Sequence, residues 1–462
     1  MSNTSVSASI FKAYDIRGVV ETALTPEAVR AIGRALGSEA VERGLSAICI
    51  GRDGRLSGPL LRDALEDGIA STGTAVIDVG MVPTPVLYFS TVHLGTGSGV
   101  EITGSHNPPE YNGLKLMLGG ATLHGEGIQA LRARIEAGRL VTGAARGEVR
   151  MADVLDDYIA AITRDVKLAR PMKIAIDCGN GVAGPTAVQL FRALGCEVVE
   201  LFTDIDGTFP NHHPDPAHPE NLEDLIGALR TTDAELGLAF DGDGDRLGVV
   251  TKAGQIIFPD RQIMLFAQDI LAAHPGGEII FDVKCTRALA PWVRAHGGVP
   301  TMWRTGHSLI KAKLKESGAP FAGEMSGHLF FNDRWPGFDD GLYAGARLLE
   351  ILSRSADPCA VLEALPSAIN TPELHLHTAE GENFALVERL RGQARFEGAT
   401  QVITIDGVRA EWADGFGLAR PSNTTPLVVL RFEGDTPEAL ARIQAAFRAA
   451  ILQVAPGARL PF

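Results

Sequence analysis

Two short loops contain the residue types that phosphoryl transfer needs. The segment TGSHNP at 103–108 holds one serine in a tight turn bounded by Gly104 and Pro108, and the segment DGDGDR at 241–246 places three carboxylates at alternate positions. A hydroxyl group can carry a phosphoryl group, and clustered carboxylates can hold a hard cation. Because phosphoryl transfer depends mainly on positioning, a metal and cationic clamps, the two loops together predict that chemistry.

Asp241, Asp243 and Asp245 form a candidate Mg²⁺ site. Alternate side chains of an extended loop point in the same direction, so the three carboxylates converge, repel one another and need a cation. An EF-hand is excluded because its sixth position would be Arg246 and its twelfth Lys252. The alternative is a solvated acidic turn, which is the less favoured interpretation because the three aspartates directly follow an apolar run.

Ser105 is the candidate nucleophile and phosphate carrier. His106 and Asn107 flank its hydroxyl with polar groups, and the loop lacks the G-x-S-x-G signature of acyl transfer. A serine in a sharp turn can also serve only as a helix cap or turn former. Because the metal loop occupies the equivalent position of the next repeat, we favour a phosphorylated serine whose phosphate is itself a metal ligand.

Basic and hydrogen-bonding residues accompany these loops. A phosphosugar needs cations at its phosphate, and arginine suits that geometry because it can bind in a bidentate way. Glu324 and Ser326 offer groups suited to sugar hydroxyls, although a purely structural turn would use the same residues. The basic residues in or beside loops are Arg17, Lys115, Arg246, Lys284, His307 and Arg420. The hydrogen-bond donors beside Arg420 in the last loop are Ser422, Asn423, Thr424 and Thr425.

Two further patterns favour structural interpretations. GNGVAG at 179–184 follows a predicted strand and opens a helix, with Glu200 about 20 residues on, and so formally matches the dinucleotide-binding fingerprint. A lone match is weak, because a tight turn in a glycine-rich chain produces it, and no hydride-transfer site accompanies it. NHHPDPAHP at 211–219 contains three histidines, yet its prolines favour a rigid surface loop over a second metal site.

Three segments of the chain share one order of predicted elements: a short β-rich run, a polar turn, a helix, a glycine and a second β run. This alternation is typical of βαβ units on a mostly parallel sheet. A later strand in each segment ends in a polar loop, and open α/β sheets bind ligands beyond the carboxyl ends of their strands. The predicted strands are 47–50, 173–177 and 278–282, the helices lie near 59–71, 185–194 and 286–296, and the strands before the loops are 98–102, 236–240 and 319–322.

The repeat predicts the domain organisation. The fold class is α/β: three related mixed-sheet α/β domains plus a C-terminal α+β domain around a central cleft. The C-terminal region is predicted to contain strands at 373–378, 400–405 and 426–432, helices near 383–391 and 437–454, and a loop at 420–425. The domains are 1–152 with the serine loop, 153–255 with the metal loop, 256–367 with a sugar-binding loop and 368–462 with a phosphate-binding loop.

Composition limits the class of protein and its partners. A chain of 462 residues is long enough for three or four domains, and its formal net charge of −14 argues against nucleic acid or an anionic membrane as partner. The five cysteines include no CxxC pair and are predicted to be reduced. The N-terminal segment lacks a signal peptide pattern, and no apolar run approaches the ~20 residues of a membrane span. We therefore expect a cytoplasmic protein.

With these residues in view, the chain resembles the α-D-phosphohexomutase superfamily and, within it, the bacterial phosphomannomutase/phosphoglucomutase family. The resemblance runs nearly end to end and depends on YDIRG at 14–18, the serine loop, the metal loop, GEMSGH at 323–328 and RPSNTTP at 420–426. It implies four domains, the last closing over the ligand. Two details match this branch, namely Met325 and the sequence Asn-Thr-Thr at 423–425. Phosphoglucosamine mutases more often have Gly-Thr-Glu in place of that Asn-Thr-Thr.

The resemblance also implies a role for each site residue. Ser105 would be carried as phosphoserine and would hold one Mg²⁺ together with Asp241, Asp243 and Asp245. His106 and Lys115 are candidates for proton transfer, and Arg246 would follow the metal loop into the cleft. Glu324 and Ser326 would bind the sugar 3- and 4-hydroxyls. The remaining substrate-binding residues would be Tyr14, Arg17, Lys284 and His307 along the sugar and phosphate path, and Arg420, Ser422, Asn423, Thr424 and Thr425 at the distal phosphate.

The implied reaction interconverts hexose 1-phosphates and hexose 6-phosphates of mannose and glucose. Phosphoserine would phosphorylate the substrate to a 1,6-bisphosphate, which would turn over without leaving and return its other phosphoryl group, with glucose 1,6-bisphosphate as activator. The expected partners are small phosphosugars, with no nucleic acid and no membrane, and we expect a monomer. The alternatives are a phosphoglucosamine mutase, a nicotinamide-dependent oxidoreductase and a non-catalytic phosphosugar-binding protein.

Overall fold

Helices and strands alternate along most of the chain, as the repeat predicts. The computed structural model describes residues 6–379, 381–423 and 425–462. Its strands form four β-sheets. Two short 3₁₀ helices, Ala8–Ile10 and Pro219–Leu222, complete the regular structure of the described residues.

The first sheet lies within residues 16–151. Its strands are β1 (Ile16–Val19), β2 (Ala47–Arg52), β3 (Ala75–Met81), β4 (Gly99–Ile102), β5 (Tyr111–Leu118), β6 (Ala121–Thr122) and β7 (Val149–Met151), and its helices are α1 (Pro26–Glu42), α2 (Gly58–Ala70), α3 (Thr84–His93) and α4 (Glu126–Glu136). The order is β1-β5-β4-β2-β3-β7, with β6 paired to β5. β2 is parallel to β3 and β4, whereas β4 and β5 are antiparallel, so the sheet is mixed.

The second sheet repeats this plan with fewer strands. Its strands are β8 (Lys173–Asp177), β9 (Glu197–Leu201), β10 (Leu236–Phe240), β11 (Leu247–Thr251) and β12 (Ile256–Ile257), with helices α5 (Leu155–Asp165), α6 (Ala183–Ala193) and α7 (Glu223–Thr231). The order is β12-β11-β10-β8-β9. β10 is parallel to β8 and antiparallel to β11, so the metal loop joins two hydrogen-bonded strands.

The third sheet has four strands in the order β14-β13-β15-β16. They are β13 (Glu278–Asp282), β14 (Val299–Trp303), β15 (Phe321–Gly323) and β16 (Leu329–Phe331), and the helices are α8 (Pro259–Ala273), α9 (Leu289–Ala295), α10 (His307–Ser317), α11 (Gly341–Leu352) and α12 (Pro358–Glu363). The strand predicted at 319–322 begins two residues later, because Pro320 has no backbone N–H to contribute to a ladder.

The fourth sheet differs from the sequence prediction. Its strands are β17 (Ile369–Asn370), β18 (Leu374–His377), β19 (Gln401–Ile403), β20 (Val408–Trp412), β21 (Gly415–Pro421) and β22 (Leu427–Gly434), with helices α13 (Glu382–Gln393) and α14 (Pro437–Val454). β20 and β21 are absent from the predicted strands: Val408–Trp412 alternates apolar and polar residues over only five positions, and Gly415–Pro421 contains glycines and a proline, which are disfavoured in strands. Arg420 consequently lies within β21, which ends at Pro421, and not in the loop that follows.

The chain divides into two compact units. The first unit contains the described residues up to 259, together with 311–321 and 326–364, and the second contains 260–310, 322–325 and the described residues from 365 onward. No helix among the described residues is long and apolar enough to cross a membrane. All five cysteines are free thiols, four of them buried. The predicted boundaries at 152, 255 and 367 stay predictions.

Helix starts follow from local sequence. The side chains of Thr25, Asp340, Asp357 and Thr436 accept hydrogen bonds from backbone N–H groups in the first turns of α1, α11, α12 and α14. Proline stands in the first turn of α1, α12 and α14, where its missing N–H costs nothing. These caps supply partners for donors that a helix leaves unpaired at its N-terminus.

Glu101 is an unusual core residue. It lies in the middle of β4, opposite Lys115 of β5, and has no exposed surface. Neither oxygen of its carboxyl group has a hydrogen-bond partner among the described residues. Burial, followed by the charges of Asp53 and Asp243, raises the pKa of Glu101 well above its ordinary value. The folded protein therefore favours the neutral carboxylic acid at this position.

Replacing Glu101 by Gln is expected to raise the melting temperature at pH 8 by about 2 °C or more, and to change it little near pH 5. In the unfolded chain the Glu101 carboxyl group ionises near pH 4.5, whereas in the folded protein it keeps its proton. Folding above that pH therefore takes up a proton, and the free energy of unfolding of the wild type falls as the pH rises. Thermal denaturation at both pH values tests this, with Glu197→Gln on an exposed strand position as control. A pH-independent difference would contradict it.

Candidate active site

The serine loop begins where β4 ends. Ser105 is 2% exposed and has φ of 50°, a left-handed conformation that is uncommon outside glycine. Asp53 holds the start of the loop, because one of its oxygens accepts hydrogen bonds from the Thr103 hydroxyl at 2.8 Å and the Gly104 N–H at 3.2 Å. The Ser105 N–H in turn donates to the Thr103 hydroxyl at 2.7 Å. The local bonds thus hold the serine in a strained turn.

The metal loop joins β10 to β11 and buries its carboxylates. Asp241, Asp243 and Asp245 are all 0% exposed, and one ligand atom from each lies within 4.8 Å of the others. Gly242 is needed because a Cβ at that position would collide with the carbonyl oxygen of Ser105. The absence of a side chain therefore lets the metal loop lie directly against the serine loop.

Ser105 and the three aspartates form one site. The Ser105 hydroxyl donates to Asp241 Oδ2 at 3.2 Å and lies 3.1 Å from His106 Nδ1. Asp243 Oδ1 is buried and has no hydrogen-bond partner among the described residues. Asp245 Oδ1 is a second such oxygen. A set of converging carboxylate oxygens, two of them without a hydrogen-bond partner among the described residues, beside a hydroxyl that can carry phosphate fits the oxygen ligands that Mg²⁺ requires.

Lys115 supplies a positive charge to the metal loop. Its ammonium group donates to Asp243 Oδ2 at 2.6 Å and to Asp245 Oδ2. Thr84, at the start of α3, adds a hydroxyl bond of 2.5 Å to Asp243 Oδ2. The lysine that the sequence analysis proposed for proton transfer therefore also neutralises the cluster, and Thr84 is a neighbour that the sequence analysis missed.

The charges in the cluster change the pKa values of its members in opposite directions. Burial and the charges of Asp243 and Asp245 raise the pKa of Asp241 well above its usual range. Burial acts the same way on Asp243, but Lys115 outweighs it and lowers the pKa of Asp243. Burial opposes the Lys115 ammonium, yet the two carboxylates it contacts raise the pKa of Lys115 well above its ordinary value.

His106 is held in its neutral form. Burial, followed by the charge of Arg246, lowers the pKa of His106 well below its ordinary value. A neutral imidazole 3.1 Å from the serine hydroxyl can accept a proton from it. The position next to Ser105 and the lowered pKa together make His106 a candidate general base.

Arg246 connects the metal loop to a second polar cluster. Its backbone N–H donates to Asp241 Oδ1 at 3.1 Å, and its Nε donates to His328 Nε2 at 3.2 Å. The other ring nitrogen of His328 lies 3.4 Å from Asp245 Oδ1 and 3.2 Å from Asp339 Oδ2. The sequence analysis included His328 in the GEMSGH motif but not among the site residues.

The YDIRG segment contacts the serine loop through Arg17. Its guanidinium donates to Asn107 Oδ1 and, at 2.5 Å, to Asp15 Oδ2. The Arg17 side chain is 12% exposed, and Tyr14 is half-buried. An arginine that touches the serine loop and still reaches solvent is suited to a phosphate contact.

The second unit contains its own group of predicted substrate residues. Lys284 donates to Glu373 Oε1 at 2.5 Å. Burial opposes the ionisation of both groups, but the pKa of Lys284 is raised by Glu373 and that of Glu373 is lowered to about 2 by Lys284. Glu324 is buried and accepts the Gly306 N–H at 2.5 Å, and His307 begins α10 one residue later.

The loop of the second unit that is predicted to bind phosphate is held by its own hydroxyls. The Ser422 and Thr425 hydroxyls lie 2.8 Å apart, and the Thr425 N–H donates to Ser422 Oγ at 3.2 Å. Asn383 of α13 donates to the Ser422 carbonyl at 2.9 Å. Arg420 donates to Asp406 Oδ2 at 3.0 Å. Asn423 adjoins Ser422 in this loop, whereas Thr424 lies outside the described residues.

The predicted site residues thus fall into two groups. The first unit contains Tyr14, Arg17, Ser105, His106, Lys115, Asp241, Asp243, Asp245, Arg246 and Ser326, and the second contains Lys284, His307, Glu324, Arg420, Ser422, Asn423 and Thr425. The sequence analysis missed Asp53, Arg55 and Thr84. Asp53 and Arg55 stand in the polar turn GRDGR at 51–55, which was interpreted only as a connection between a strand and a helix.

Both rejected patterns have structural explanations. Added Cβ atoms at Gly181 and Gly184 would meet the backbone carbonyls of Gly242, at 2.9 Å, and of Thr203. These glycines therefore permit close backbone packing, which accounts for the apparent dinucleotide fingerprint. In the histidine-rich loop, His212 Nε2 lies 3.0 Å from Asp177 Oδ1, so that histidine anchors the loop to β8.

Known proteins match the chain over nearly its full length. Three families described as phosphoglucomutase/phosphomannomutase alpha/beta/alpha domains I, II and III match residues 8–141, 156–254 and 258–368, and the C-terminal domain family matches residues 377–450. A phosphoglucomutase from Neisseria meningitidis serogroup A is 58% identical over 97% of each chain. A phosphomannomutase/phosphoglucomutase from Pseudomonas aeruginosa is 54% identical over 99% of this chain and 98% of that one.

A solved structure has the same fold. The crystal structure of a phosphoglucomutase/phosphomannomutase family protein from Burkholderia thailandensis matches with a TM-score of 0.95 and 60% identity, over 99% of this chain and 100% of that one. Together with the four sheets, this match confirms the predicted fold class of three α/β domains and a C-terminal α+β domain.

Replacing Asp243 by Asn is expected to weaken Mg²⁺ binding about tenfold or more, because a neutral amide replaces a carboxylate in a buried oxygen cluster. Isothermal titration calorimetry with Mg²⁺ and Mn²⁺ measures the change, and Asp233→Asn, at an exposed position, is the control. Equal affinities for wild type and Asp243→Asn would contradict the assignment of the metal site.

Proposed function

The chain belongs to the phosphoglucomutase/phosphomannomutase family of the α-D-phosphohexomutase superfamily, and on this basis we propose that it interconverts the 1-phosphates and 6-phosphates of mannose and glucose through phosphoserine 105. Members of this family are mutases, so the protein is an isomerase. The names of its relatives support glucose and mannose phosphates as substrates.

One observation carries the proposed mechanism. The Ser105 hydroxyl donates to Asp241 Oδ2 at 3.2 Å inside a buried cluster of three carboxylates. A phosphoryl group on Ser105 would bring oxygen ligands to the same cluster. Bound there by Ser105, Asp241, Asp243 and Asp245, Mg²⁺ would neutralise the charge that develops during transfer.

The protein residues account for the proton and phosphoryl movements. In the first half-reaction the bond between Ser105 Oγ and phosphorus breaks as the free sugar hydroxyl forms the new bond to phosphorus, and the proton that this hydroxyl loses to a base is returned to the departing Ser105 oxygen. In the second half-reaction the Ser105 hydroxyl attacks the other phosphate of the 1,6-bisphosphate, and its proton passes to a base. Neutral His106, 3.1 Å from Oγ, is placed for that step. Lys115, which stays charged, is placed for electrostatic stabilisation.

The remaining predicted residues have binding roles in this proposal. Glu324 and Ser326 bind sugar hydroxyls, and the loop around Ser422 together with Arg420 binds the phosphate that is not reacting. These groups present hydroxyl, amide and guanidinium donors, which suit either phosphate of the bisphosphate. The remaining substrate contacts are assigned to Tyr14, Arg17, Lys284, His307, Asn423 and Thr425. In this proposal the protein is a cytoplasmic monomer, and glucose 1,6-bisphosphate activates it.

Replacing Ser105 by Ala is expected to lower mutase turnover by at least about 10³-fold, because the covalent intermediate cannot form. The assay is ³¹P NMR of purified protein with Mg²⁺, a trace of glucose 1,6-bisphosphate and a mixture of mannose, glucose and glucosamine 1-phosphates. The wild type and the control Ser9→Ala, at an exposed site, should produce mannose and glucose 6-phosphates first.

Different outcomes separate the alternatives. Preferential loss of glucosamine 1-phosphate would assign the protein to the phosphoglucosamine mutases. Full turnover by Ser105→Ala would eliminate the phosphoserine mechanism while leaving mutase activity in place. An unchanged spectrum from wild type after phosphorylation of the protein by glucose 1,6-bisphosphate would contradict the proposed function itself.

A further inference from the structure

Arg55 uses every donor of its guanidinium group. It lies in the turn between β2 and α2, and its side chain is 0% exposed. Its Nε donates to Asp53 Oδ2 at 3.1 Å, and each of its two terminal nitrogens donates to two backbone carbonyls. A guanidinium has five N–H donors, so none is left over. The four carbonyls belong to Ser105 at 2.9 Å, Asn107 at 2.6 Å, Pro108 at 2.6 Å and Tyr111 at 3.0 Å.

The serine loop needs these donors. It leaves the sheet at the end of β4 and returns at the start of β5, and Ser105 adopts a left-handed conformation within it. Buried carbonyl groups outside a β ladder must find donors elsewhere, and a left-handed serine persists only where its surroundings hold it. Arg55 supplies the donors that a neighbouring strand would supply inside a sheet.

Asp53 completes the support from the other side of the loop. It accepts hydrogen bonds from the Thr103 hydroxyl and the Gly104 N–H, and from the backbone N–H of Arg55 at 3.0 Å. Asp53 therefore holds the residues before Ser105, and Arg55 holds Ser105 and the residues after it. The two side chains form an ion pair, so the support adds no net charge beside the site.

The second repeat covers the guanidinium. The ring of Phe209 lies over Arg55, with its centroid 5.1 Å from Cζ. Gly207 approaches so closely that a Cβ there would lie 2.8 Å from the Cα of Arg55. The guanidinium itself is thus shielded from water, and its bond to the Ser105 carbonyl, which is buried, is stronger in this environment than it would be in water.

We propose that Arg55 is a positioning residue for phosphoryl transfer, which directs the Ser105 hydroxyl toward Asp241 through the backbone of the serine loop. The inference rests on the proposed function, since it assigns Arg55 to the step that Ser105 performs. Arg55 touches neither the three aspartates nor the groups assigned to the substrate. Its loss should therefore slow transfer while leaving unchanged the affinity for sugar phosphate and, in the unphosphorylated protein, the affinity of the three aspartates for metal.

The Arg55→Lys variant tests this assignment. Lysine keeps the charge, but its ammonium group has three donors and no planar fork, so it cannot span the four carbonyls. We expect kcat to fall about 100-fold, because a displacement of the reacting group by about 1 Å has an effect of that size. KM should stay within about twofold of wild type, and so should the Kd of the unphosphorylated protein for Mg²⁺. The rate of ³²P transfer from labelled glucose 1,6-bisphosphate to Ser105 should fall with kcat. Arg62→Lys, on α2 and outside the loop, is the matched control.

A second variant keeps the test decisive if Arg55→Lys fails to fold. The Gly104→Ala variant keeps the arginine at position 55. The Cβ added at position 104 would lie 2.5 Å from Arg55 Cζ, and this collision would push the guanidinium away from the loop. The same selective loss of kcat and labelling rate is expected. Wild-type kcat in either folded variant, or a loss explained by KM or by metal affinity, would overturn the inference. An unlabelled wild type would instead overturn the proposed function.

Discussion

Mutual repulsion among three buried carboxylates is the constraint on which the site depends. Asp241, Asp243 and Asp245 have no exposed surface, so water cannot screen them, and such a cluster persists only with positive charge beside it. Lys115 and Arg246 supply fixed charge from a neighbouring strand and from the loop itself. A divalent cation adds the rest in the proposed mechanism. The same repulsion that makes the cluster costly therefore favours a cation held by its carboxylate oxygens.

Backbone packing places the serine at this cluster. Gly242 lets the two loops touch, while Asp53 and Arg55 hold the serine loop from its two sides. None of these residues performs chemistry in the proposal, yet each limits where the Ser105 hydroxyl can point. A similar arrangement occurs in the second unit, where buried Arg409 donates to the carbonyls of Val283 at 2.6 Å and Cys285 at 2.7 Å, on either side of Lys284.

Most of the fold can be predicted from the sequence, which also proposes the residues of the candidate site, but it does not reveal the residues that hold them in place. The loops that contain Ser105 and Asp241 can be recognised in the sequence because each follows a predicted strand and has unusual residue types and spacing. β20 was missed although Val408–Trp412 alternates apolar and polar residues, and β21 is hard to predict because its glycines and its proline are disfavoured in strands. Arg55 was missed because four of its five bonds go to backbone carbonyls 50 or more positions away along the chain. Such long-range pairing leaves no local pattern in the sequence, whereas three aspartates at alternate positions form a local pattern that can be recognised.

The central claim is that the three aspartates and Ser105 form one metal-binding phosphoryl-transfer site. The most direct measurement is a crystal structure of the protein, phosphorylated with glucose 1,6-bisphosphate and soaked in Mn²⁺, with anomalous data collected at the manganese edge. The account predicts one strong anomalous peak coordinated by oxygens of Asp241, Asp243, Asp245 and the phosphate on Ser105. A manganese ion bound elsewhere, or an unmodified Ser105 in an active and labelled preparation, would contradict it.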